Sequence, residues 1–143
     1  MAVESLSAIT LATHDMPASR AFYETLGFHT VWAAGDESFV TVRSGNAWLN
    51  LFTASPDRQW GPWGRYILHV DDVDAVHAAL VAAGYEPRMA PSDAPWGERY
   101  FHVLDPAGHE VSIAKRLRPP PFPVPHRGRV GSTRRSPSPT EDA

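Results

Sequence analysis

Two stretches decide the fold: residues 8–27, AITLATHDMPASRAFYETLG, and residues 65–84, RYILHVDDVDAVHAALVAAG. The second stretch repeats the residue pattern of the first. Asp15, for example, corresponds to Asp72, which lies 57 positions later in the chain. Self-similarity at a fixed spacing indicates one supersecondary unit used twice. The repeat therefore predicts two related structural units in the chain.

Each repeat has the pattern of a strand followed by a helix. Apolar residues alternate up to the aspartate and then recur three and four positions apart. Asp15 and Asp72 stand where helix N-caps accept free backbone N–H groups. Gly27 and Gly84 stand where helices commonly end in a left-handed residue. The pattern predicts one helix between each aspartate and the glycine that follows it.

Three further strand candidates follow each helix. They are residues 28–34, 37–44 and 46–54 in the first half, and residues 85–90, 98–105 and 109–116 in the second. The last two are joined by Asp105-Pro106-Ala107-Gly108, which is typical of a tight turn because proline presets φ and glycine supplies a positive φ.

We therefore predict an α+β fold, in which two tandem βαβββ modules form a curved mixed sheet around a cup-shaped cavity. Module one spans about residues 5–54 and module two about residues 64–116, within a single domain of residues 1–118. Residues 119–143 are rich in Pro, Arg and Ser, and this composition predicts a disordered tail. The alternative for the tail is a docking or nucleic-acid arm built on its arginines.

The bulk composition narrows the class of protein. The chain has 143 residues and no cysteine, which suits one cytoplasmic domain without disulfides or thiolate metal sites. No secretory signal or membrane span is expected from the pattern of apolar residues. Residues 1–115 carry seven Lys/Arg against fourteen Asp/Glu, which argues against nucleic acid as a partner and suits a cationic ligand.

Alternation along the strands predicts which side chains face away from the helices. Trp48 and Asn50 lie on that face in the first half, and Arg65, His69 and Ser112 lie on it in the second. A mixture of aromatic, polar and charged residues favours a partly wet binding surface, and an ordinary solvated sheet face is the alternative. Both alternations are amphipathic over residues 100–103, so the face of this segment stays open.

Two segments and the paired pattern together resemble a known protein family. The segment AFYETLGF at 21–28, the segment PWGERYFHVLDPAGHEVSIA at 95–114 and the paired βαβββ pattern are similar to the vicinal oxygen chelate superfamily. That group includes glyoxalases, bleomycin-resistance proteins and extradiol dioxygenases. The resemblance covers about residues 5–116 and implies a cup-shaped site.

The resemblance also locates the positions that hold a metal in the metal-dependent members. These positions fall on Ala8, Asn50, Arg65 and Ser112. Asn50 is at best a weak oxygen donor, and a guanidinium repels a cation. We therefore expect no metal and no cofactor. A site built from other histidines is the alternative, although no closely spaced histidine pair supports it.

What remains resembles the metal-free, drug-binding branch, which implies a homodimer that sequesters a small molecule, as in antibiotic resistance. Trp96 matches the tryptophan of that branch's motif, although loop packing explains it equally well. The residues expected to bind the ligand are Trp32, Phe39, Trp48, Asn50, Arg65, His69, Trp96 and Ser112. Two alternatives remain: a lyase, isomerase or dioxygenase of the same fold that uses His69 and Arg65, and a scaffold with a vestigial cup.

Overall fold

The computed structural model describes residues 1–117, and the predicted tail at 119–143 lies outside the described residues. The elements in chain order are β1 (Ile9–Thr13), α1 (Met16–Thr25), β2 (His29–Ala33), β3 (Phe39–Ser44), β4 (Ala47–Thr53), β5 (Arg65–His69), α2 (Val73–Ala82), β6 (Ser92–Asp93), β7 (Glu98–Leu104) and β8 (Glu110–Arg116). No helix within residues 1–117 is long and apolar enough to cross a membrane.

The strands form two mixed sheets with the same topology. Sheet one has the order β1-β4-β3-β2 and sheet two the order β5-β8-β7-β6. In each sheet the first strand pairs in parallel with the last, and the remaining pairs are antiparallel. The α+β class and the tandem modules are thus confirmed, with one four-stranded sheet per module and no closed barrel among the described strands.

The helix boundaries follow from the predicted caps. The carboxylate of Asp15 accepts from the backbone N–H of Ala18 at 3.0 Å, and Asp72 accepts from Ala75 at the same distance. Gly27 and Gly84 have φ values of 97° and 96°, where a side chain would be strained. Local chemistry therefore starts and stops both helices as the sequence predicts.

One predicted strand is wrong. Residues 85–90 form no strand, and the only strand between α2 and β7 in the described chain is the two-residue β6. Pro87 interrupts the segment because proline has no N–H to donate to a ladder. A single backbone bond, from Arg88 N–H to the carbonyl of His102 at 2.9 Å, keeps the segment beside β7.

The hydrophobic core runs through both modules. Phe22 and Tyr23 of α1 are fully buried, and the same cluster includes Phe101 of β7. Fully burying one such side chain contributes about 1.5–3 kcal/mol. The two modules thus share one core.

A buried polar cluster reinforces this junction. The Tyr23 hydroxyl donates to Asp105 Oδ2 at 2.7 Å, so its oxygen accepts from the Tyr66 hydroxyl. Burial raises the pKa of Tyr23 well above its ordinary value, and Tyr66 and Asp105 raise it further. Burial raises the pKa of Tyr66 as well. Both phenols therefore stay neutral and serve as hydrogen-bonding groups.

Alternation assigns the faces of both sheets. We call the face turned away from the helices the outer face. On β4 and β8 the core residues alternate with Trp48, Asn50, Glu110 and Ser112, as expected from the sequence. The structure also settles residues 100–103: Phe101 and Val103 are buried in the core, so the intervening His102 lies on the outer face.

Candidate functional site

The outer face of sheet one has a neutral polar row at its centre. Thr10, Asn50 and Thr41 are direct cross-strand neighbours on β1, β4 and β3. Thr41 Oγ1 donates to Asn50 Oδ1 at 2.8 Å, and Asn50 Nδ2 donates to Thr10 Oγ1 at 3.1 Å. The Asn50 side chain is therefore held in one orientation by its two neighbours.

Aromatic side chains flank this row. The rings of Trp32 and Phe39 lie 6.3 Å apart, within the range for interacting aromatic pairs. Trp48 carries the guanidinium of Arg43 over its ring at 4.9 Å, a cation–π contact. Trp32 is 56% exposed and Trp48 is 40% exposed. Sheet one therefore presents apolar area to solvent around a small polar centre.

The outer face of sheet two carries ionisable groups. Arg65 Nε lies 3.6 Å from Glu110 Oε2, a loose pair between direct neighbours on β5 and β8. His69 Nε2 lies 3.3 Å from Glu98 Oε2. These two residues stand on β5 and β7, and Ala114 of β8 lies between their strands. A small side chain at Ala114 leaves room for the pair to meet.

His102 and Ser112 form the most enclosed pair on this face. His102 Nδ1 lies 2.7 Å from Ser112 Oγ, and Ser112 is buried. Burial, followed by the charge of Arg65, lowers the pKa of His102, while Glu110 opposes this shift. His102 is therefore neutral near pH 7. In the neutral ring one nitrogen donates and the other accepts, and the tautomer sets the direction of the bond between Nδ1 and the Ser112 hydroxyl.

Trp96 lies at the edge of the same face. Its indole N–H donates to Glu98 Oε1 at 3.0 Å, and its ring centroid is 6.0 Å from that of Tyr100. The Trp96 side chain is 46% exposed, so its own loop does not bury it. Glu98 is thus shared by Trp96 and His69, one at each carboxylate oxygen.

The sequence-predicted residues fall into two groups of four. Trp32, Phe39, Trp48 and Asn50 belong to sheet one, and Arg65, His69, Trp96 and Ser112 lie on or beside sheet two. Within residues 1–117 no hydrogen bond, ion pair or ring contact joins the two groups. A cavity of about 630 Å³ lies on sheet one, between Thr41, Trp48, Asn50 and the chain before β1. The contacts among the described residues therefore join members of each group but do not link the two groups.

The sequence matches the family model for the glyoxalase/bleomycin resistance protein/dioxygenase superfamily over residues 5–113. The chain belongs to this superfamily. No curated protein matches it in sequence.

Solved structures of the superfamily share the fold. A glyoxalase/bleomycin resistance protein/dioxygenase from Nocardioides is 24% identical, covers 87% of this chain and 92% of its own, and has a TM-score of 0.67. A bleomycin-binding protein complexed with bleomycin is 23% identical, with coverages of 78% and 98% and a TM-score of 0.64. A lactoylglutathione lyase from Agrobacterium tumefaciens is 23% identical, with coverages of 79% and 94% and a TM-score of 0.63.

At the four positions that the resemblance assigns to metal ligands, the residues present do not suit a metal ion. Ala8 has no donor atom, Arg65 carries a positive charge, and Asn50 and Ser112 are bonded to their neighbours. Across residues 1–117 no three His, Asp or Glu side chains are grouped so that they could hold an ion. The chemistry of these donors departs from that of the metal-dependent members.

Sequence reasoning missed three residues of the sheet-two face. Glu98, Tyr100 and His102 line it, but the two possible alternations of this strand were equally amphipathic. The strand pairing identifies their face, because His102 stands directly opposite Ser112 on β8 and the face of Ser112 was already assigned. Trp60 and Trp63 of the linker were also missed, because their partner His109 is more than 40 positions away.

Proposed function

We propose that this chain is a metal-free binding protein, which sequesters a small, partly aromatic and cationic molecule such as a bleomycin-type antibiotic. The observation that carries the proposal is the arrangement of Trp96. Its indole is exposed, is held by Glu98 and lies beside Tyr100. Such an arrangement offers a flat stacking surface next to a carboxylate, which suits a planar cationic ligand.

We further propose that the site forms between two copies of the chain. Each outer face alone leaves large apolar side chains exposed, including Trp32 on sheet one and Ile67 on sheet two. Leaving such groups in water forgoes about 1.5–3 kcal/mol for each side chain. A two-fold homodimer that opposes sheet one of one copy to sheet two of the other covers both faces and creates two equal sites.

The direct test is calorimetric titration of the protein with metal-free bleomycin. We expect saturable binding at one ligand per chain. Trp96→Ala should weaken it by about tenfold, since an aromatic contact contributes about 0.5–1.5 kcal/mol beyond its buried area. Val81→Ala is the control, because Val81 is an exposed apolar residue of α2 and lies away from both outer faces. Equal affinity of the wild type and Trp96→Ala would remove Trp96 from the site.

A mixing experiment tests the shared site. Trp32→Ala damages sheet one and Trp96→Ala damages sheet two, so each homodimer has two damaged sites. Random exchange of the two variants gives half heterodimers, in which one site has both native surfaces, and restores roughly a quarter of the sites. No recovery of binding after exchange, with dimers present by sedimentation, would refute a site between copies.

One observation favours a second candidate, an enzyme that transfers protons without a metal. His69 is held by the carboxylate of Glu98, which is how a general base is oriented. Turnover of lactoylglutathione by the purified protein, lost in both His69→Gln and Glu98→Gln, would support this function. Bleomycin binding without such turnover would favour the binding protein.

A further inference from the structure

The linker between the modules is anchored by two tryptophans. Trp60 donates its indole N–H to the carbonyl of Ala107 at 3.0 Å, and Trp63 donates to His109 Nδ1 at 2.7 Å. The Trp60 ring lies 4.7 Å from the ring of His14 and 5.7 Å from that of His109. Module one supplies His14 and module two supplies His109, so the linker is fixed to both.

A cavity of about 320 Å³ lies between this linker and the β1 edge of sheet one. Its lining includes Thr10 and Phe52 of sheet one together with Trp60, Trp63 and His109. The volume is near the lower end of the range of about 300–1,000 Å³ for small-molecule pockets. Phe52 and the two linker tryptophans supply aromatic surface that suits a flat ligand of modest size.

Most polar atoms around the cavity already have partners. Both indole N–H groups are used, and the two ring nitrogens of His109 accept from Trp63 and donate to the Ala12 carbonyl. Thr10 Oγ1 accepts from Asn50. These walls therefore offer ring faces more than free hydrogen-bonding groups.

Arg58 carries the fixed positive charge among the described residues that line the cavity. Its guanidinium lies over the ring of Phe52 at 5.3 Å, which orients it along the cavity wall. Among residues 1–117 its side chain has no ion pair and no hydrogen bond. A guanidinium stacked on an aromatic ring keeps its N–H edge available for a planar anion.

We propose that this linker pocket binds a small aromatic carboxylate, with the carboxylate on Arg58 and the ring between Phe52 and the linker tryptophans. The inference does not depend on the proposed function, which uses Trp96 and prefers a cation. It concerns a ligand of the opposite charge, bound at the β1 edge of sheet one.

The test is calorimetric titration of the full chain with 2-naphthoate, beside the neutral 2-naphthamide. We expect the carboxylate to bind more tightly than the amide, and Arg58→Gln to weaken the carboxylate by about tenfold because a charge-assisted bond is lost. Arg58→Lys should retain part of the affinity. The thermal midpoint of each variant shows whether it is folded.

Arg43→Gln is the matched control, since Arg43 also stacks on an aromatic ring of sheet one but lies outside the linker pocket. Arg43→Gln, Arg65→Gln and Trp96→Ala should bind 2-naphthoate like the wild type. The proposal is overturned if Arg65→Gln or Arg43→Gln weakens binding as much as Arg58→Gln. It is equally overturned if amide and carboxylate bind alike, or if the wild type does not bind 2-naphthoate. Trp96→Ala is expected to weaken bleomycin binding but not 2-naphthoate binding, so failure of one proposal can be told from failure of the other.

Discussion

Asn50 on sheet one and Ser112 on sheet two occupy corresponding positions of the two modules, and each is bonded across the sheet. Asn50 accepts from Thr41 at 2.8 Å, and Ser112 lies 2.7 Å from His102. Both partners stand directly opposite on the neighbouring strand. The geometry is the same, but the pair on sheet one is neutral and the pair on sheet two contains a titratable ring.

This difference extends over both outer faces. Sheet one surrounds its neutral row with exposed aromatic rings, whereas sheet two places Arg65, Glu110, His69 and Glu98 around its central pair. Repetition of one backbone plan therefore gives one face suited to stacking and one face with ionisable groups. A ligand held between two such faces would meet both the neutral row of sheet one and the ionisable groups of sheet two.

The largest expected effect on the free energy of unfolding concerns the turn before β8, compared with the corresponding turn before β4. Asp105 is buried and accepts from Tyr23 and from the backbone of Ala107 and His109. Asp105→Ala leaves these donors without partners, so we expect a loss of about 2–4 kcal/mol in the free energy of unfolding. Urea denaturation measures it.

The matched control lies in the corresponding turn of module one. Asn46 is exposed in the short Gly45–Asn46 connection, and Asn46→Ala should change the free energy of unfolding by less than about 0.5 kcal/mol. Similar losses for both variants would show that the two turns are equivalent and that Asp105 has no special role.

The contrast between these turns shows which parts of the fold were predictable. The Asp105-Pro106-Ala107-Gly108 turn, the two aspartate caps and the two terminal glycines depend on neighbouring residues, and the sequence contains those neighbours. The strand at 85–90 was wrong because Pro87 has no N–H to donate to a ladder, and one backbone bond holds the segment beside β7. The buried bonds of Asp105 to Tyr23 were not predictable, since they join residues of different modules.

The candidate site was predictable only in part, for a related reason. Alternation assigned Trp48, Asn50, Arg65 and Ser112 to the outer faces, because the face depends on position along one strand. Alternation does not say which strands meet, so it did not show that the predicted residues occupy two separate faces. The partner of Ser112 required the register of β7 against β8.

A smaller effect is expected for the neutral pair on sheet one. Thr41→Val removes the donor to Asn50 Oδ1, which should cost about 1 kcal/mol for one partly exposed hydrogen bond. The loss should be equal at pH 5 and pH 8, because neither partner titrates. Thr53→Val is the control, since Thr53 is exposed at the end of β4. A loss that differs between the two pH values would contradict a neutral, pH-independent face.

On sheet two we expect a pH-dependent effect. The pKa of His102 is lowered in the folded chain, so below an unfolded pKa of about 6.5 the unfolded chain binds more protons. The contribution of neutral His102 is complete above this value. It is lost as the pH falls through the folded pKa, with a slope of at most about 1.4 kcal/mol per pH unit.

His102→Gln should therefore flatten the pH dependence of the free energy of unfolding below about pH 6.5. His29→Gln, at an exposed histidine of β2, serves as the control. Urea denaturation at several pH values measures both. An unchanged slope in His102→Gln would mean that the enclosed pair does not make sheet two sensitive to pH.

The smallest effect is expected for Arg65 and Glu110, the other charged pair of sheet two. Their atoms are 3.6 Å apart and the Arg65 side chain is about half exposed, so solvent screens the attraction. A double-mutant cycle with Arg65→Gln and Glu110→Gln should give a coupling below about 0.5 kcal/mol, and salt should reduce it further. A coupling well above 1 kcal/mol would show that Arg65 is held firmly by Glu110. It would then be a fixed part of the sheet, with no free edge for a ligand.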